Sequence, residues 1–216
     1  MLVGERMSRP VISVTPDMPV QDAMVKMRKD RVSRYPVIDK KGKMVGIISE
    51  DDLLNAAPSD ATSLSVWEIN YLLSKLTVEK VMTKDVITVD ESTPLEEAAR
   101  ILADSRIGGL PVLRGEEVVG MITETDVFRV LLNMLGGRKA GLRVIVMVED
   151  KPGLLSKLTH AIDQAGGNII ALSTYTGHDV EGGEVTVKVD GIDAKTLRKV
   201  LTPLVSEIKD IREIHA

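Results

Sequence analysis

An internal duplication restricts the fold of this chain more than any other feature of its 216 residues. Residues 7–53 and 82–127 share one pattern, which begins Met-Ser-Arg-Pro-Val-Ile-Ser-Val in the first copy and Met-Thr-Lys-Asp-Val-Ile-Thr-Val in the second. The register persists to residues 46–52 and 120–126, after the loss of one residue in the turn at residues 40–42. A repeat of this length indicates one supersecondary unit used twice.

Each copy predicts the order strand, helix, strand, strand, helix. In both copies, apolar residues recur at positions i, i+3, i+4 and i+7, which predicts one apolar stripe along a helix. The stripe residues are Val20, Ala23, Met24 and Met27 in the first copy, and Leu95, Ala98, Ala99 and Leu102 in the second. Two apolar runs flank the turn at residues 40–42, a pattern typical of a hairpin, and the second copy makes its turn at Gly115.

Residues 58–76 separate the two copies and predict a helical insert. The insert contains the only tryptophan of the chain, Trp67, and Tyr71 follows four residues later, so the two rings are expected to share a helix face. Aromatic residues are enriched where proteins contact each other, but they also fill protein cores. Two interpretations of the insert therefore remain open: packing against the repeats, and contact with a second copy or a partner.

The pattern changes after residues 136–141, whose glycine content predicts a flexible linker. Residues 142–216 predict the order βαββαβ, which is the ferredoxin-like arrangement. The predicted fold class is therefore α/β (α+β) in two domains. The first domain covers residues 1–135, with copy one at 1–57, the insert at 58–76 and copy two at 77–135, and the second covers 142–216.

Composition excludes several classes of function. The net charge of −4 offers no surplus of Lys and Arg for nucleic acid. The chain has no cysteine, which excludes disulfides and thiolate chemistry and fits a reducing compartment. Its N-terminus lacks the apolar core of a signal peptide, and no apolar run approaches the roughly 18 residues that span a bilayer. We expect a cytoplasmic protein that binds neither nucleic acid nor membrane.

The motif Gly46-x-x-Ser49-x-x-Asp52 and its copy Gly120-x-x-Thr123-x-x-Asp126 place a hydroxyl and a carboxylate where a strand leads into a helix. The carboxylate can accept hydrogen bonds from the two vicinal hydroxyls of a ribose, and the Ser or Thr hydroxyl can reach a sugar or phosphate oxygen. The same Ser/Thr-x-x-Asp spacing is close to that of a capping box, which forms without any ligand. On spacing alone, both interpretations remain open.

Residues 1–135 resemble a tandem pair of CBS domains, the Bateman module, through the Pro-Val strands and both Gly-x-x-Ser/Thr-x-x-Asp motifs. The resemblance implies two related clefts between the repeats that take adenosine-containing ligands: AMP, ADP, ATP or S-adenosylmethionine. It assigns the ribose-binding carboxylate to Asp52 and Asp126 and the hydroxyl partner to Ser49 and Thr123. We accordingly predict that the two aspartates are ribose contacts rather than caps.

The same resemblance implies that each cleft borrows residues from the opposite repeat. The cleft of Asp126 would be lined by Ile12, Val32 and Ser33, and the cleft of Asp52 by Ile87, Ile107 and Gly108. Candidates for contact with a phosphate group are Arg9, Arg34 and Lys84, although solvated surface charge is the alternative for each of them.

Residues 142–216 resemble an ACT domain through Asp-x-Pro-Gly-x-Leu from Asp150 and Gly-x-Asn-Ile from Gly166. ACT domains usually pair, so the resemblance implies a homodimer. Many of them bind an amino acid, while others only dimerise. An amino-acid site, if formed, would be lined by Asp150, Gly153, Asn168 and Ile169. As a whole, the chain is similar to the acetoin-utilisation regulatory proteins of the B type, which implies a setting in acetoin or related carbon metabolism.

Catalysis finds little support in the sequence. The three histidines, His160, His178 and His215, have no metal-ligand spacing, and the chain contains no P-loop, no dinucleotide fingerprint and no nucleophile with an adjacent base. We therefore expect a regulator rather than an enzyme, with no catalytic residue, no metal and no required cofactor. Its regulatory ligand would be an adenine nucleotide and its target an unidentified protein. The alternative is an amino-acid sensor that uses the ACT domain, with the CBS pair as scaffold.

Overall fold

The computed structural model describes residues 1–56, 75–175 and 182–215. Within these residues the chain forms two compact units, Met1–Val127 and Phe128–Ala216. Both units contain helices and strands, which confirms the predicted mixed class. Three residues singled out by the sequence lie outside the described residues: Trp67, Tyr71 and His178.

Repeat one contains a helix, a hairpin and a second helix. These elements are α1 (Val20–Asp30), β1 (Arg34–Ile38), β2 (Met44–Ser49) and α2 (Glu50–Asn55). The predicted stripe of α1 is buried at Val20, Ala23 and Met27, where it packs against the buried residues of the hairpin. The hairpin turns where the sequence predicts, and it places Tyr35 opposite Ile48.

Repeat two has the same helix, hairpin and helix, preceded by a short helix and a two-residue strand, whereas the first strand predicted for repeat one is only a bridge between Val14 and Val37. The elements of repeat two are α3 (Val78–Val81), β3 (Val89–Asp90), α4 (Leu95–Ser105), β4 (Gly109–Arg114), β5 (Glu117–Thr123) and α5 (Glu124–Met134). Strand β3 is parallel to β4, whereas β5 is antiparallel to β4. Leu110 lies opposite Ile122, as Tyr35 lies opposite Ile48 in repeat one, so the two hairpins share their register. The boundary between the two units falls within α5.

Each repeat contributes a backbone segment to the hairpin of the other. The N–H of Ser8, which precedes α1, donates a hydrogen bond of 2.8 Å to the carbonyl oxygen of Met121 in β5. The N–H of Thr83, which precedes β3, donates a hydrogen bond of 2.9 Å to the carbonyl oxygen of Ile47 in β2. The repeats are thus joined by exchanged segments, so any cleft at these junctions contains residues of both repeats.

The second unit contains a four-stranded antiparallel sheet. Its elements are β6 (Gly141–Val148), α6 (Leu154–Gln164), β7 (Asn168–Tyr175), β8 (Gly183–Asp190), α7 (Ala194–Leu201) and β9 (Glu207–Ile214). The strand order is β7-β8-β6-β9, and each neighbouring pair is antiparallel. The element order is the predicted βαββαβ. Asp193 caps α7 by accepting hydrogen bonds from two backbone N–H groups, as its position in the sequence indicates.

One face of this sheet packs against α6 and α7. Along β6 every second residue is buried, from Leu142 to Val148, and these side chains pack against Leu158 and Ile162 of α6 and Leu197 of α7. Burying one such side chain contributes about 1.5 to 3 kcal/mol, so this alternation holds the helices on one face. The intervening residues of β6 and β8 therefore lie on the opposite face of the sheet.

Candidate functional site

The Ser/Thr-x-x-Asp motif lies at the junction of strand and helix in both repeats. In repeat one, Asp52 Oδ2 accepts hydrogen bonds from the N–H (2.8 Å) and the hydroxyl (2.6 Å) of Ser49, and Ser49 Oγ accepts from the N–H of Asp52 at 3.2 Å. In repeat two, Asp126 Oδ2 accepts from the N–H (3.0 Å) and the hydroxyl (2.7 Å) of Thr123, and Thr123 Oγ1 accepts from the N–H of Asp126 at 3.2 Å. A complete capping box is therefore formed in each copy.

This geometry corrects one expectation. Asp52 and Asp126 were expected to be ribose contacts rather than caps, but both are caps, because the spacing brings the carboxylate back onto the N–H of Ser49 or Thr123. The cap does not exclude a ligand. The bonds of Asp52 use Oδ2, and Oδ1 accepts no hydrogen bond from the described part of the chain. The ribose contact remains a prediction, now with a specific atom.

A cavity of about 300 Å³ lies beside Asp52, at the lower end of the size range of small-molecule sites. Both repeats line it. Repeat one contributes Arg34, Ile47, Ser49, Asp51 and Asp52, and repeat two contributes Thr83, Asp85, Val86, Ile87, Arg106, Ile107, Gly108 and Gly109. The five residues that the sequence analysis groups around Asp52 all lie on its wall. Apolar side chains, hydroxyls, carboxylates and guanidinium groups thus converge on one space.

Arg34 crosses from its own repeat to the backbone of the other. A Cβ atom on Gly108 would lie 2.5 Å from Arg34 Nη2, and one on Gly109 would lie 2.8 Å from Arg34 Nη1. With a side chain at either position, the guanidinium of Arg34 would have to move. Arg34 Nε is buried without a hydrogen-bond partner among the described residues. Burial lowers the pKa of Arg34, while the nearby carboxylates of Glu124, Asp51 and Asp52 act in the opposite direction.

The other two candidates for a phosphate contact have different surroundings. Arg9 does not line this cavity, and its Nη2 lies 3.2 Å from Oε2 of Glu91. Glu91 also forms an ion pair with Arg114. Lys84 is absent from the lining, although its neighbours Thr83 and Asp85 belong to it. Of the three candidates, the structure brings only Arg34 to the wall of the Asp52 cavity.

Sequence reasoning missed Arg106, Asp51 and Asp85, which also line the cavity. Arg106 ends α4 in the left-handed backbone conformation, with a φ of 54°, and the equivalent Arg31 ends α1 with a φ of 55°. Because both copies carry an arginine at this position, the duplication was a usable signal for Arg106. The two aspartates carried no such signal, because the second copy has Thr125 at the place of Asp51 and the first has Pro10 at the place of Asp85.

For the predicted cleft of Asp126, the structure gives the exposure and the hydrogen bonds of its individual residues. Asp126 is buried, Val32 is partly buried, and Ile12 and Ser33 are exposed. The carbonyl oxygen of Ser33 accepts a hydrogen bond of 2.8 Å from the N–H of Glu50, and that of Gly108 accepts one of 3.3 Å from the N–H of Glu124. Ser33 and Gly108 thus occupy equivalent places. The ligand-binding role of the Ile12, Val32 and Ser33 set remains a prediction.

The four residues expected to form an amino-acid site do not meet within one chain. Asp150 and Gly153 follow β6, whereas Asn168 and Ile169 begin β7, and both strands are antiparallel to β8. Val148 pairs with Gly183 at one end of β8, and Asn168 pairs with Asp190 at the other end. Seven residues of strand separate these ends by about 23 Å. Within one chain these residues do not line a common space, because α6 carries the chain back to the start of the sheet, and the amino-acid site remains a prediction.

The described residues contain no group of three or more His, Cys, Asp or Glu side chains arranged to hold a metal ion. None of their helices has the length and apolar character needed to cross a bilayer.

Comparison with family models identifies the class. The CBS domain model matches residues 3–59 and 78–133, which together exceed half of the chain, and the ACT domain model matches residues 142–206. The chain belongs to the CBS domain family and carries an ACT domain after its CBS pair. Among curated relatives, a CBS domain-containing protein of Dictyostelium discoideum is 28% identical over 135 residues, which are 62% of this chain and 93% of that protein.

Solved structures of similar fold also contain CBS domains, and two of them were solved with a bound ligand. A putative acetoin utilization protein (AcuB) from Vibrio cholerae is 27% identical with a TM-score of 0.53, over 64% of this chain and 96% of that one. The CBS domain pair of protein MJ0100, solved with 5′-methylthioadenosine and S-adenosyl-L-methionine, is 29% identical with a TM-score of 0.52, over 64% and 98%. CBSX2, solved with AMP, is 32% identical with a TM-score of 0.51, over 61% and 96%. Similarity to the AcuB structure supports the resemblance found in the sequence.

Proposed function

We propose that this chain is a regulatory protein that senses an adenine nucleotide, or S-adenosylmethionine, in the cleft beside Asp52. The observation that carries the proposal is the cavity of about 300 Å³, in which Ser49 and Asp52 of one repeat face Ile87, Ile107 and Gly108 of the other. Two relatives of similar fold were solved with adenosine compounds, CBSX2 with AMP and the MJ0100 pair with S-adenosyl-L-methionine.

The residues of the cleft suit the parts of such a ligand. Oδ1 of Asp52 is available to accept a hydrogen bond from a ribose hydroxyl, while the cap holds the carboxylate in place through Oδ2. Ile87 and Ile107 offer apolar surface to the base. Arg34 supplies a cation on the wall of the cavity, and a guanidinium group matches phosphate oxygens well.

Regulation follows if the ligand binds two states of the protein unequally. The cleft lies between repeats that exchange backbone segments at Ser8 and Thr83. A ligand that contacts both repeats therefore stabilises one relative arrangement of the two repeats. At a hundredfold excess over Kd, binding to the folded form alone stabilises it by about 2.7 kcal/mol. The proposed role is control of an unidentified target protein, without a catalytic residue and without a required cofactor.

The wider proposal retains the domain bounds 1–135, 136–141 and 142–216, a homodimer and a cytoplasmic location. Similarity to the AcuB structure supports a setting in acetoin or related carbon metabolism. Amino-acid sensing through Asp150, Gly153, Asn168 and Ile169 now requires two copies of the chain, because these residues lie at opposite ends of one sheet.

Isothermal titration of the full chain tests the proposal. AMP, ADP, ATP and S-adenosylmethionine are compared with GTP and CTP, and at least one adenine compound is expected to bind more tightly than both. Asp52→Ala should weaken that binding about tenfold or more, since a hydrogen bond to a charged group contributes about 1.5 to 3 kcal/mol. The matched control is Asp193→Ala, which removes a cap aspartate of α7 and should leave the affinity unchanged. Absence of binding by all four adenine compounds would overturn the proposal.

A further inference from the structure

The second unit buries a lysine on the face of its sheet that α6 and α7 leave uncovered. Lys188 of β8 is 5% exposed, and it lies between Val187 and Val189, whose side chains belong to the core beneath the helices. Because side chains alternate along a strand, Lys188 lies on the other face. Burying an ammonium group is unfavourable unless it is paired with an anion and hydrogen-bonded.

Three cations form a row across this face. The strand register places Lys188 of β8 opposite Arg143 of β6, and Arg143 opposite Arg212 of β9. Residues directly opposite in an antiparallel pair lie side by side on one face, and like charges in that arrangement are destabilising. The row therefore favours an anion on this face of the sheet.

The carboxylate of Asp210 lies beside two cations of this row, Arg212 and Arg143. Asp210 accepts hydrogen bonds of 2.7 and 2.8 Å from Arg212 and lies 3.6 Å from Arg143. The hydrogen bonds from Arg212, with the charges of both arginines, lower the pKa of Asp210. Within the described residues, Lys188 has no carboxylate within ion-pair distance, and its Nζ donates one hydrogen bond, of 2.7 Å, to the carbonyl oxygen of Gly136. An ammonium group has three donors, so two of them have no acceptor in this part of the chain.

A cavity of about 280 Å³ lies over this end of the row. The segment after α5 covers it from one side, and Gly136 in that segment has a φ of +61°, with Ile170 of β7 so close that a side chain at Gly136 would collide with it. The walls are Leu132, Leu135 and Gly137 of the covering segment and Arg143, Ala171, Leu172, Ser173, Thr186, Lys188 and Ile214 of the sheet. Two cations and two hydroxyls thus face a space whose remaining walls are mainly apolar.

We propose that this cavity binds a small aliphatic 2-oxo or 2-hydroxy carboxylic acid. Its carboxylate would lie between Lys188 and Arg143, its second oxygen function would face the hydroxyls of Ser173 and Thr186, and its aliphatic chain would contact Leu132, Leu135 and Ile214. An α-amino acid fits less well, because its ammonium group would lie among the cations of the row. The site is separate from the Asp52 cleft and does not depend on the function proposed for it.

The test uses the full chain and 3-methyl-2-oxobutanoate as probe, compared with L-valine, which has the same carbon skeleton, and with inorganic phosphate. Thermal unfolding and isothermal titration should report saturable binding of the oxo acid, with valine at least tenfold weaker. The chemical difference between the two probes is the ammonium group. Equal binding of valine, binding of phosphate alone, or no binding by the oxo acid would overturn the proposal.

Variants assign the binding to this cavity. Lys188→Met keeps the length of the side chain and removes the charge, so affinity for the oxo acid should fall about tenfold or more. Thr186→Val removes one hydroxyl from the wall without a change of shape and should weaken binding severalfold, which keeps the proposal testable if Lys188→Met does not fold. The control is Lys209→Met, which removes a cation of β9 that pairs with Glu184 outside the cavity. A loss of affinity in the control as large as that in Lys188→Met would contradict the assignment.

Discussion

The two CBS repeats share a cap and differ in the charges around it. Corresponding cap hydrogen bonds agree within 0.2 Å in the two copies. The positions beside the caps have diverged: Asp51 in repeat one corresponds to Thr125 in repeat two, and Pro10 in repeat one corresponds to Asp85 in repeat two. A cap involves four consecutive residues and is therefore retained in both copies, whereas the residues that face a cleft come from both repeats and are free to differ.

This difference has a consequence for ligands. Three carboxylates, Asp51, Asp52 and Asp85, line the Asp52 cavity beside two guanidinium groups, Arg34 and Arg106. At the corresponding positions of the other repeat, Asp51 and Asp85 are replaced by the uncharged Thr125 and Pro10, Arg34 is replaced by Gly109, and Arg106 corresponds to Arg31. One carboxylate and one guanidinium group thus remain there. The Asp52 cleft is therefore expected to favour the less anionic adenine compounds, such as S-adenosylmethionine, and the Asp126 cleft to favour the polyphosphates.

The largest expected effect concerns the two motif glycines, which the opposite repeat approaches closely. The three atoms nearest to a Cβ on Gly120 all belong to the side chain of Met7, whereas those nearest to a Cβ on Gly46 include the backbone carbonyl oxygen of Thr83, at 2.8 Å, beside the side chain of Met82. Gly120→Ala and Gly46→Ala should each destabilise the protein by about 1 to 3 kcal/mol through overpacking, measured by urea unfolding.

Double variants separate the two repeats, because a side chain can be shortened and a backbone carbonyl cannot. Met7→Ala should recover part of the stability lost in Gly120→Ala, so that the pair is less destabilised than the sum of the single changes. Met82→Ala should recover less in Gly46→Ala. Equal recovery in both repeats would contradict the difference in packing.

The next effect concerns charge, and a reciprocal exchange tests it. Asp51→Thr gives repeat one the residue of repeat two, and Thr125→Asp does the reverse. One unit charge near a partly exposed ligand changes binding by about 1 kcal/mol, or roughly fivefold. Titration with ATP and S-adenosylmethionine should show the first variant shifted toward ATP at the Asp52 cleft and the second shifted away from ATP at the Asp126 cleft. If neither variant changes its preference between ATP and S-adenosylmethionine, charge does not explain a difference between the two clefts.

The smallest effect concerns the caps themselves. Ser49→Ala and Thr123→Ala each remove the hydroxyl of a capping box and should destabilise the protein by about 1 kcal/mol. The loss should be somewhat larger for Thr123→Ala, because Asp126 is buried while Asp52 is partly exposed and a buried carboxylate depends more on its donors. Thermal unfolding of the ligand-free protein measures both changes, and a clearly larger loss for Ser49→Ala would contradict this order.

The local features of the fold followed from the sequence. The stripe of Val20, Ala23 and Met27 is buried as its spacing predicts, and the order βαββαβ is present from Gly141 to Ile214. The duplication also pointed to both cap motifs, and the resemblance to a CBS pair implied part of the lining of the cavity beside Asp52. Such features depend on neighbours within a few positions, or on a repeat that can be read directly, so sequence patterns carry them.

The tertiary structure decided which distant groups meet. It placed Arg34 against Gly108 and Gly109 of the opposite repeat, and it set Lys188 beside Arg143 through the register of two strands. It also separated Asp150 from Asn168, which the sequence had grouped in one site. These outcomes depend on strand order, register and the direction in which a helix returns the chain, and no spacing between residues along the sequence specifies them.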